Sequence, residues 1–81
     1  MKKLSIMGIT VDKRTKSAPQ VQEILTKFGD SILMRVGVHD PGEEQNGLIT
    51  LNLRDKDEKI MALQRELESL DGVNVKSIEM K

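Results

Sequence analysis

The sequence predicts an α+β domain in which four antiparallel strands form one sheet and two helices pack on one of its faces. Four apolar segments rich in β-branched residues occur with two helical patterns, in the order strand, helix, strand, strand, helix, strand. Gly29 and Gly72 stand where the two helical patterns end. Because the chain has 81 residues, we expect a single domain spanning residues 1–81.

The first strand and the first helix are adjacent in the sequence. The strand is predicted over KLSIMGITVD, which is apolar and β-branched and ends at a charged residue. Ser17 and Gln20 have the spacing of a capping box at the start of the helix. Gly29 is expected to end that helix in the left-handed conformation. The apolar residues of the helix recur at helical spacing: Val21, Ile24, Leu25 and Phe28.

The second half of the chain contains two more strands, a helix and a last strand. SILMRVGVHD and GLITLNLRD are separated by residues that favour turns, which indicates a hairpin. The second helix is expected to open at Asp55 or Asp57, and Glu58 is placed to complete a capping box from Asp55. VNVKSIEM is the last strand. The apolar seam of the second helix is formed by Ile60, Leu63, Leu67 and Leu70.

This order of elements is that of the ferredoxin-like βαββαβ sandwich, which places both helices on one face of the sheet. The strands nevertheless carry apolar residues on both faces, whereas helices can cover only one. We therefore expect the other face to contact a second subunit. The apolar strand residues are Ile6, Met7, Ile9, Leu33, Met34, Val36, Val38, Leu48, Ile49, Leu51 and Leu53.

Composition excludes several classes of site. The chain has no Cys, so it contains no disulfide, thiolate metal site or cysteine nucleophile. Its 13 basic and 13 acidic residues balance, and a single Phe is its only aromatic residue, which argues against direct nucleic-acid binding. No apolar run is long enough to span a membrane, and the start does not have the pattern of a signal peptide, so we expect a cytoplasmic protein. A domain this small often gains stability from self-association.

His39, the only histidine, lies in the segment GVHDPGEEQNG beside Asp40 and close to Glu43 and Glu44. One interpretation is a metal site, and the other is a solvated turn between two strands. A metal needs several converging ligands, and His39 with Asp40 offers one pair at most. We therefore predict a turn and no metal or other cofactor, although ligands from two chains could still meet at a subunit interface.

The loop after the first strand, VDKRTKSAPQ, is the better candidate for chemistry. Free backbone N–H groups and the positive end of the helix dipole favour an anion at the start of a helix. The loop could hold a carboxylate or phosphate, or its lysines could simply be solvated and Ser17 act only as a cap. The closely spaced glycines of a phosphate-binding loop are missing. The predicted ligand-binding residues are Asp12, Lys13, Arg14, Thr15, Lys16 and Ser17.

Nearly the whole chain resembles a small ACT-like family of regulators of the iron-only hydrogenase system. The features that carry the resemblance are GITVDKR with SAPQVQEILTKFGD, ILMRVGV with LITLNL, and LDGVNVKS before the last strand. The resemblance implies an ACT-like ferredoxin fold, self-association as a homodimer or tetramer, and a regulatory role that is not enzymatic. In the wider ACT superfamily, small effectors such as amino acids often bind near the loop that corresponds to Asp12–Ser17, but the glycine often found there is missing.

Two other families share this topology. The C-terminal domain of the nickel-responsive repressor also tetramerises, but it binds metal through several His and a Cys, and this chain has only His39. A regulator of this kind without its own DNA-binding part would act through a protein partner. The alternative from a different class is an acylphosphatase-like hydrolase, in which Arg14 would hold phosphate and Asn52 would orient water. That family's glycine-rich cradle for the oxyanion is missing here.

Overall fold

The described residues of the computed structural model are 1–12, 16–39 and 46–81. A short 3₁₀ turn, Gly29–Ser31, joins the first helix to the second strand. The predicted order of strands and helices is confirmed. The elements are β1 (Lys3–Val11), α1 (Ala18–Lys27), β2 (Ile32–His39), β3 (Gly47–Asp55), α2 (Asp57–Glu68) and β4 (Val73–Glu79).

The strands form one antiparallel sheet in the order β2-β3-β1-β4. β1 and β3 are central, and β2 and β4 are the edges. Helix α1 connects β1 to β2, and helix α2 connects β3 to β4. In each case one other strand lies between the two connected strands in the sheet, as the ferredoxin-like topology requires. The predicted fold class, an α+β sandwich with a four-stranded antiparallel sheet, is therefore confirmed.

The hydrophobic core lies between the helices and one face of the sheet. Alternate residues of β1 and β3 point into it, because successive side chains of a strand point to opposite faces. Met7, Ile9, Leu51 and Leu53 are completely buried there. The helices contribute the apolar stripes that their spacing predicts, and the buried helix residues are Val21, Leu25, Ile60, Leu63 and Leu67.

The end of α1 differs from the prediction. Gly29 does not take the left-handed conformation but begins the 3₁₀ turn, in which the Ser31 N–H donates to the Phe28 carbonyl at 2.9 Å. At the other end of α1, Ser17 occupies the N-cap position as predicted, but its side chain makes no capping hydrogen bond. After Phe28, the 3₁₀ turn leads into β2 and stands in place of the expected left-handed glycine cap.

The start of α2 also differs from the predicted capping box. The helix begins at Asp57, one of the two predicted positions, and Lys56 is its N-cap. The Asp55 side chain does not cap the first turn, because it accepts hydrogen bonds from the Ser31 hydroxyl and from the Lys56 backbone N–H, the latter at 2.7 Å. After α2, Gly72 has a φ of 75°, which confirms the predicted left-handed glycine before β4.

Polar side chains join the elements at the surface. The Lys27 ammonium contacts the Glu66 carboxylate at 3.0 Å and so links α1 to α2. The Ser77 hydroxyl donates to Gln64 at 2.8 Å and links β4 to α2. The first contact therefore lies within the helix layer, and the second joins that layer to the sheet. Both helices lie on the same face, so the other face is uncovered in the described part of the chain.

Candidate functional site

The uncovered face of the sheet, here called the open face, carries six of the ten large apolar side chains that are exposed in the described residues. It consists of alternate residues of the strands, those that point away from both helices. The expectation that the strands are apolar on both faces is confirmed. The exposed apolar side chains of the open face are Ile6, Met34, Val36, Val38, Leu48 and Ile78, which are 39 to 65% exposed.

The register of the strands arranges these residues in rows across the sheet. Ile6 pairs with both Asn52 and Ile78, and Asn52 also pairs with Met34, so these four form the Ile6 row. Two residues further along, the Gly8 row contains Val36, Thr50, Gly8 and Lys76. Because Gly8 has no side chain and a Cβ there would meet nothing within 4 Å, the row has a gap at its centre.

The open face has an uneven charge. Arg54 and Lys76 both lie on it, whereas its described strand positions include no carboxylate. The described acidic residues lie instead on the helices, at strand ends and in turns. The open face is therefore apolar with two cations near its rim.

The predicted binding loop is only partly described. Asp12 is half-buried, and its backbone N–H donates to the Gly72 carbonyl at 2.9 Å, which ties the end of β1 to the turn before β4. Lys16 is exposed and Ser17 is half-buried at the start of α1. Lys13, Arg14 and Thr15 lie outside the described residues, so the binding site at Asp12–Ser17 stays a prediction.

A groove that the sequence did not predict runs between the end of α1 and the edge strand β2. It is lined by Leu25, Thr26, Gly29 and the first residues of β2, and Arg35 donates a hydrogen bond to Gln22 at its side. A β-bulge between Ile32 and Met34 interrupts the pairing of β2 with β3 next to this groove. The bulge could be found only from the register, which the alternation of β2 does not reveal.

Two described titratable groups with perturbed pKa values, Asp55 and Lys3, lie at the end of the sheet opposite to Asp12. The Ser31 hydroxyl, and then the Lys56 backbone N–H, hold the pKa of Asp55 below its ordinary value. Glu79, which contacts the Lys3 ammonium at 2.6 Å, raises the pKa of Lys3. The part-buried Ser31–Asp55 hydrogen bond joins the 3₁₀ turn to β3, and the exposed Lys3–Glu79 ion pair joins β1 to β4, so neither contact forms a reactive cluster.

A comparison with protein families decides the class of the chain. The model of the TM1266-like family, described as "Iron-only hydrogenase system regulator, putative", matches residues 3–77. The chain belongs to this family. The predicted resemblance is thereby confirmed, and it supports a regulatory domain. A search of curated proteins finds no match.

Solved structures agree with the TM1266-like assignment. The uncharacterized protein TM1266 from Thermotoga maritima is 37% identical, with a TM-score of 0.91 and full coverage of both chains. The ACT domain of a GTP pyrophosphokinase from Chlorobium tepidum has a TM-score of 0.76 at 19% identity, over 96% of this chain and 100% of that one. The regulatory subunit of aspartate kinase from Thermus flavus has a TM-score of 0.64 at 12% identity, over 95% and 52%. The last two show that the TM1266-like fold is ACT-like.

The histidine of this TM1266-like chain lies at the end of β2, where it pairs with Gly47. Asp40, Glu43 and Glu44, the acidic residues considered with it, lie outside the described residues. Among residues 1–12, 16–39 and 46–81 no three His, Asp or Glu side chains come together in a way that could hold a metal ion. The same part of the chain includes no helix with the length and apolar character needed to cross a membrane.

The residues of the hydrolase alternative are not brought together in the described part of this TM1266-like protein. Asn52 is exposed on the open face, level with Ile6. Val11, the last residue of β1 before the loop, is five residues further along the strand, which corresponds to about 17 Å. Arg14 lies outside the described residues. The position of Asn52 therefore does not favour a shared site with the loop.

Proposed function

We propose that this TM1266-like protein is a cytoplasmic regulatory domain of the iron-only hydrogenase system that acts through self-association and not as an enzyme. The observation that carries the proposal is the open face. Its six exposed apolar side chains lie side by side on one surface, where a single subunit leaves them in water. Family membership supports the regulatory role, and the ACT-like fold is one that also occurs in a regulatory subunit.

Covering the open face would contribute a large part of the stability of so small a domain. A fully buried Ile, Leu, Met or Val side chain stabilises by about 1.5 to 3 kcal/mol, and small domains have only about 5 to 15 kcal/mol in total. Each of the six residues is already partly covered by its neighbours in the sheet, so the gain per residue is a fraction of that value. Summed over two copies, this gain acts against the loss of translational and rotational freedom on association.

The regulatory signal in this proposal is a small ligand, such as an amino acid, bound near Asp12–Ser17. The described part of the loop supports the idea in one respect. Asp12 is held by a hydrogen bond to Gly72, and Ser17 begins α1, so both ends of the loop are fixed to the rest of the fold. A ligand bound between these fixed ends would shift the position of α1 relative to β1, and this shift would reach the open face through the sheet. The assembled protein would in turn act on the hydrogenase system through a protein partner.

Self-association is tested by light scattering at micromolar concentrations, with a charged variant on the open face and a matched control. The protein should have a mass of at least twice 9.1 kDa. Met34 on the open face and Met61 on α2 are 59% and 49% exposed, so Met34→Glu should dissociate the assembly and Met61→Glu should not. A monomeric wild-type protein, or equal behaviour of the two variants, would contradict the role of the open face.

The ligand is tested separately by thermal shift against amino acids, nucleotides and divalent metal ions. A compound that binds only the native state raises the melting temperature by mass action. The double variant Arg14→Ala, Lys16→Ala should remove the shift for a compound bound at the loop. Lys59→Ala, which removes an exposed cation on α2, is the control and should leave the shift unchanged. A compound whose affinity is unchanged in the double variant would show that the loop is not its site.

A further inference from the structure

We propose that two copies of the chain stack their open faces about a two-fold axis. The axis lies in the plane between the two sheets, runs at right angles to the strands, and passes over β1 level with Met7. In this arrangement Ile6 of each copy enters the gap at Gly8 of the other. The proposal rests on the proposed function, because it assumes self-association through the open face. It adds the orientation of the two copies and the contact that fixes it.

The gap and the residue that fills it lie two positions apart on the same strand. Gly8 and Ile6 are on the open face of β1, one of the two central strands, and Ile6 is 39% exposed. A two-fold interface needs this kind of self-complementarity, since residue i of one copy contacts residue j of the other and j contacts i. Here the two-fold axis gives two equal contacts, because Ile6 of each copy lies against Gly8 of the other.

The register of the sheet extends the match to the other strands. Rotation about this axis keeps each strand opposite its own copy and places the Ile6 row over the Gly8 row. Apolar residues meet at Gly8 with Ile6 and at Val36 with Met34, and polar residues meet at Thr50 with Asn52. The apolar stems of Lys76 and Arg54 lie on aliphatic side chains. Among the strand residues, Thr10 with Leu4 is the one pair in which a neutral polar group faces an aliphatic side chain, whereas the alternative axis described next has three. The facing pairs are Gly8 with Ile6, Val36 with Met34, Thr50 with Asn52, Lys76 with Ile78, Leu48 with Arg54, and Thr10 with Leu4.

A two-fold axis parallel to the strands, between β1 and β3, gives a poorer match. Each row would then lie over itself with its order reversed. Asn52 would be placed on Ile6, Asn74 on Val38, and Thr10 on Leu48. Burying amide and hydroxyl groups against aliphatic side chains without hydrogen bonds is unfavourable. The perpendicular axis is therefore the one that this surface fits.

The size of the open face suits a second copy as its occupant. Four strands with a spacing of about 4.8 Å and lengths of seven to nine residues form a face of about 19 Å by about 25 Å. Covering it in two copies buries roughly 1,000 Å², which is near the lower limit for a specific interface. The open face of another copy has the same extent and therefore can cover the whole face.

Cysteine cross-linking tests the axis directly, because the natural chain has no Cys. Leu48 and Arg54 are exposed residues of β3 and face each other across the proposed axis. Stacked sheets are about 10 Å apart, so a short bis-maleimide should join Leu48→Cys of one copy to Arg54→Cys of the other. In either variant alone, the two thiols of a dimer would lie on different copies, six residues or about 20 Å apart along the strands. The spacing between the sheets adds to this distance, so the short cross-linker should not join them.

The expected result is a covalent dimer from the mixture of the two variants and little from either variant alone. If the axis runs parallel to the strands, each variant alone cross-links and the mixture adds nothing, which overturns the inference. An assembly that gives no cross-link in any combination also overturns it, because the open faces then do not meet. A wild-type protein that is monomeric by light scattering would instead refute the proposed function itself, so the two failures are distinguishable.

Filling the gap provides a second, independent measurement. Within one copy a Cβ at Gly8 meets nothing within 4 Å, so Gly8→Val should fold with an unchanged or higher melting temperature at concentrations where the protein is monomeric. It should raise the dissociation constant of the dimer at least tenfold, because Ile6 of the other copy no longer fits. Gly37→Val, on β2 and on the helix side of the sheet, is the control and should leave dimerisation unchanged, because a Cβ there meets only Ile49 at 4.0 Å. A Gly8→Val protein with wild-type dimerisation would contradict the proposed contact.

Discussion

Two leucines of β3 point to opposite faces of the sheet, and replacing each by alanine separates folding from assembly. Leu51 is completely buried under the helices, whereas Leu48 is 39% exposed on the open face. The two substitutions remove the same atoms from the same strand. Leu51→Ala should destabilise the protein at every concentration, and Leu48→Ala should act mainly where the protein self-associates.

The expected magnitudes follow from burial. Leu51→Ala should cost about 2 to 5 kcal/mol, as other buried leucines do, because it removes apolar contacts and leaves a cavity. The part of Leu48 that assembly can still cover is its 39% exposed fraction, which corresponds to about 0.6 to 1.2 kcal/mol of a full burial worth about 1.5 to 3 kcal/mol. Both copies of a dimer lose this contribution, so the dissociation constant should rise roughly 10- to 50-fold.

Urea unfolding followed by far-ultraviolet circular dichroism measures both effects, since the chain has no Trp or Tyr for fluorescence. Each variant is unfolded at several protein concentrations, and sedimentation gives the dissociation constant. The difference between wild type and Leu51→Ala should be nearly independent of concentration, and the difference for Leu48→Ala should grow with it. A Leu48→Ala protein with wild-type stability and assembly at all concentrations would refute the assignment of the open face as an interface.

Three further substitutions test the contacts that hold the elements together. Gly72→Ala should lower the free energy of unfolding by about 1 to 2 kcal/mol, because alanine is strained at a φ of 75°; no change in a urea titration would contradict this. Asp55→Asn should destabilise the protein at neutral pH, because Ser31 and Lys56 stabilise the charged form of Asp55 and so lower its pKa. The difference in stability from wild type should vanish as the pH falls from about 3.9 through that lowered pKa. A difference that does not depend on pH would refute this assignment. Lys27→Met should cost at most about 1 kcal/mol through loss of the exposed ion pair with Glu66, and the cost should disappear at about 1 M salt; a cost that persists there would point to lost packing.

The strands and helices were predictable because their signals agree over many residues. Alternation in β1 places Met7 in the core and Ile6 on the open face. The same alternation of buried and exposed residues runs along β3, before and after Leu51. The three errors, at the two ends of α1 and at the start of α2, concern helix ends, where one cap contributes only about 1 kcal/mol and a tertiary contact can replace it. Asp55 is an example, because its carboxylate is held by Ser31, a residue 24 positions away in the sequence.

The candidate sites were less predictable, for a different reason. That one face of the sheet would be apolar and exposed could be inferred from the two-sided strands. The gap at Gly8 could not, because it depends on which residues of β3 and β4 lie beside it, and register is a property of the paired strands. In the sequence alone, Gly8 is only a glycine within a strand pattern, which has several structural meanings.

The hydrogen bonds between Leu4 and Lys81 have a practical consequence for the way this domain is joined to other proteins. Lys81 accepts from the Leu4 N–H at 2.9 Å and Met80 donates to the Leu4 carbonyl at 2.7 Å, so the two chain ends leave the sheet side by side. Asp12 follows the far end of β1, whose nine residues span about 30 Å. A fluorescent protein or an affinity tag attached at either end would therefore sit far from Asp12–Ser17 and would leave that loop accessible in binding experiments. Two copies could also be linked in tandem by a short flexible peptide, which would raise their effective concentration without altering the loop.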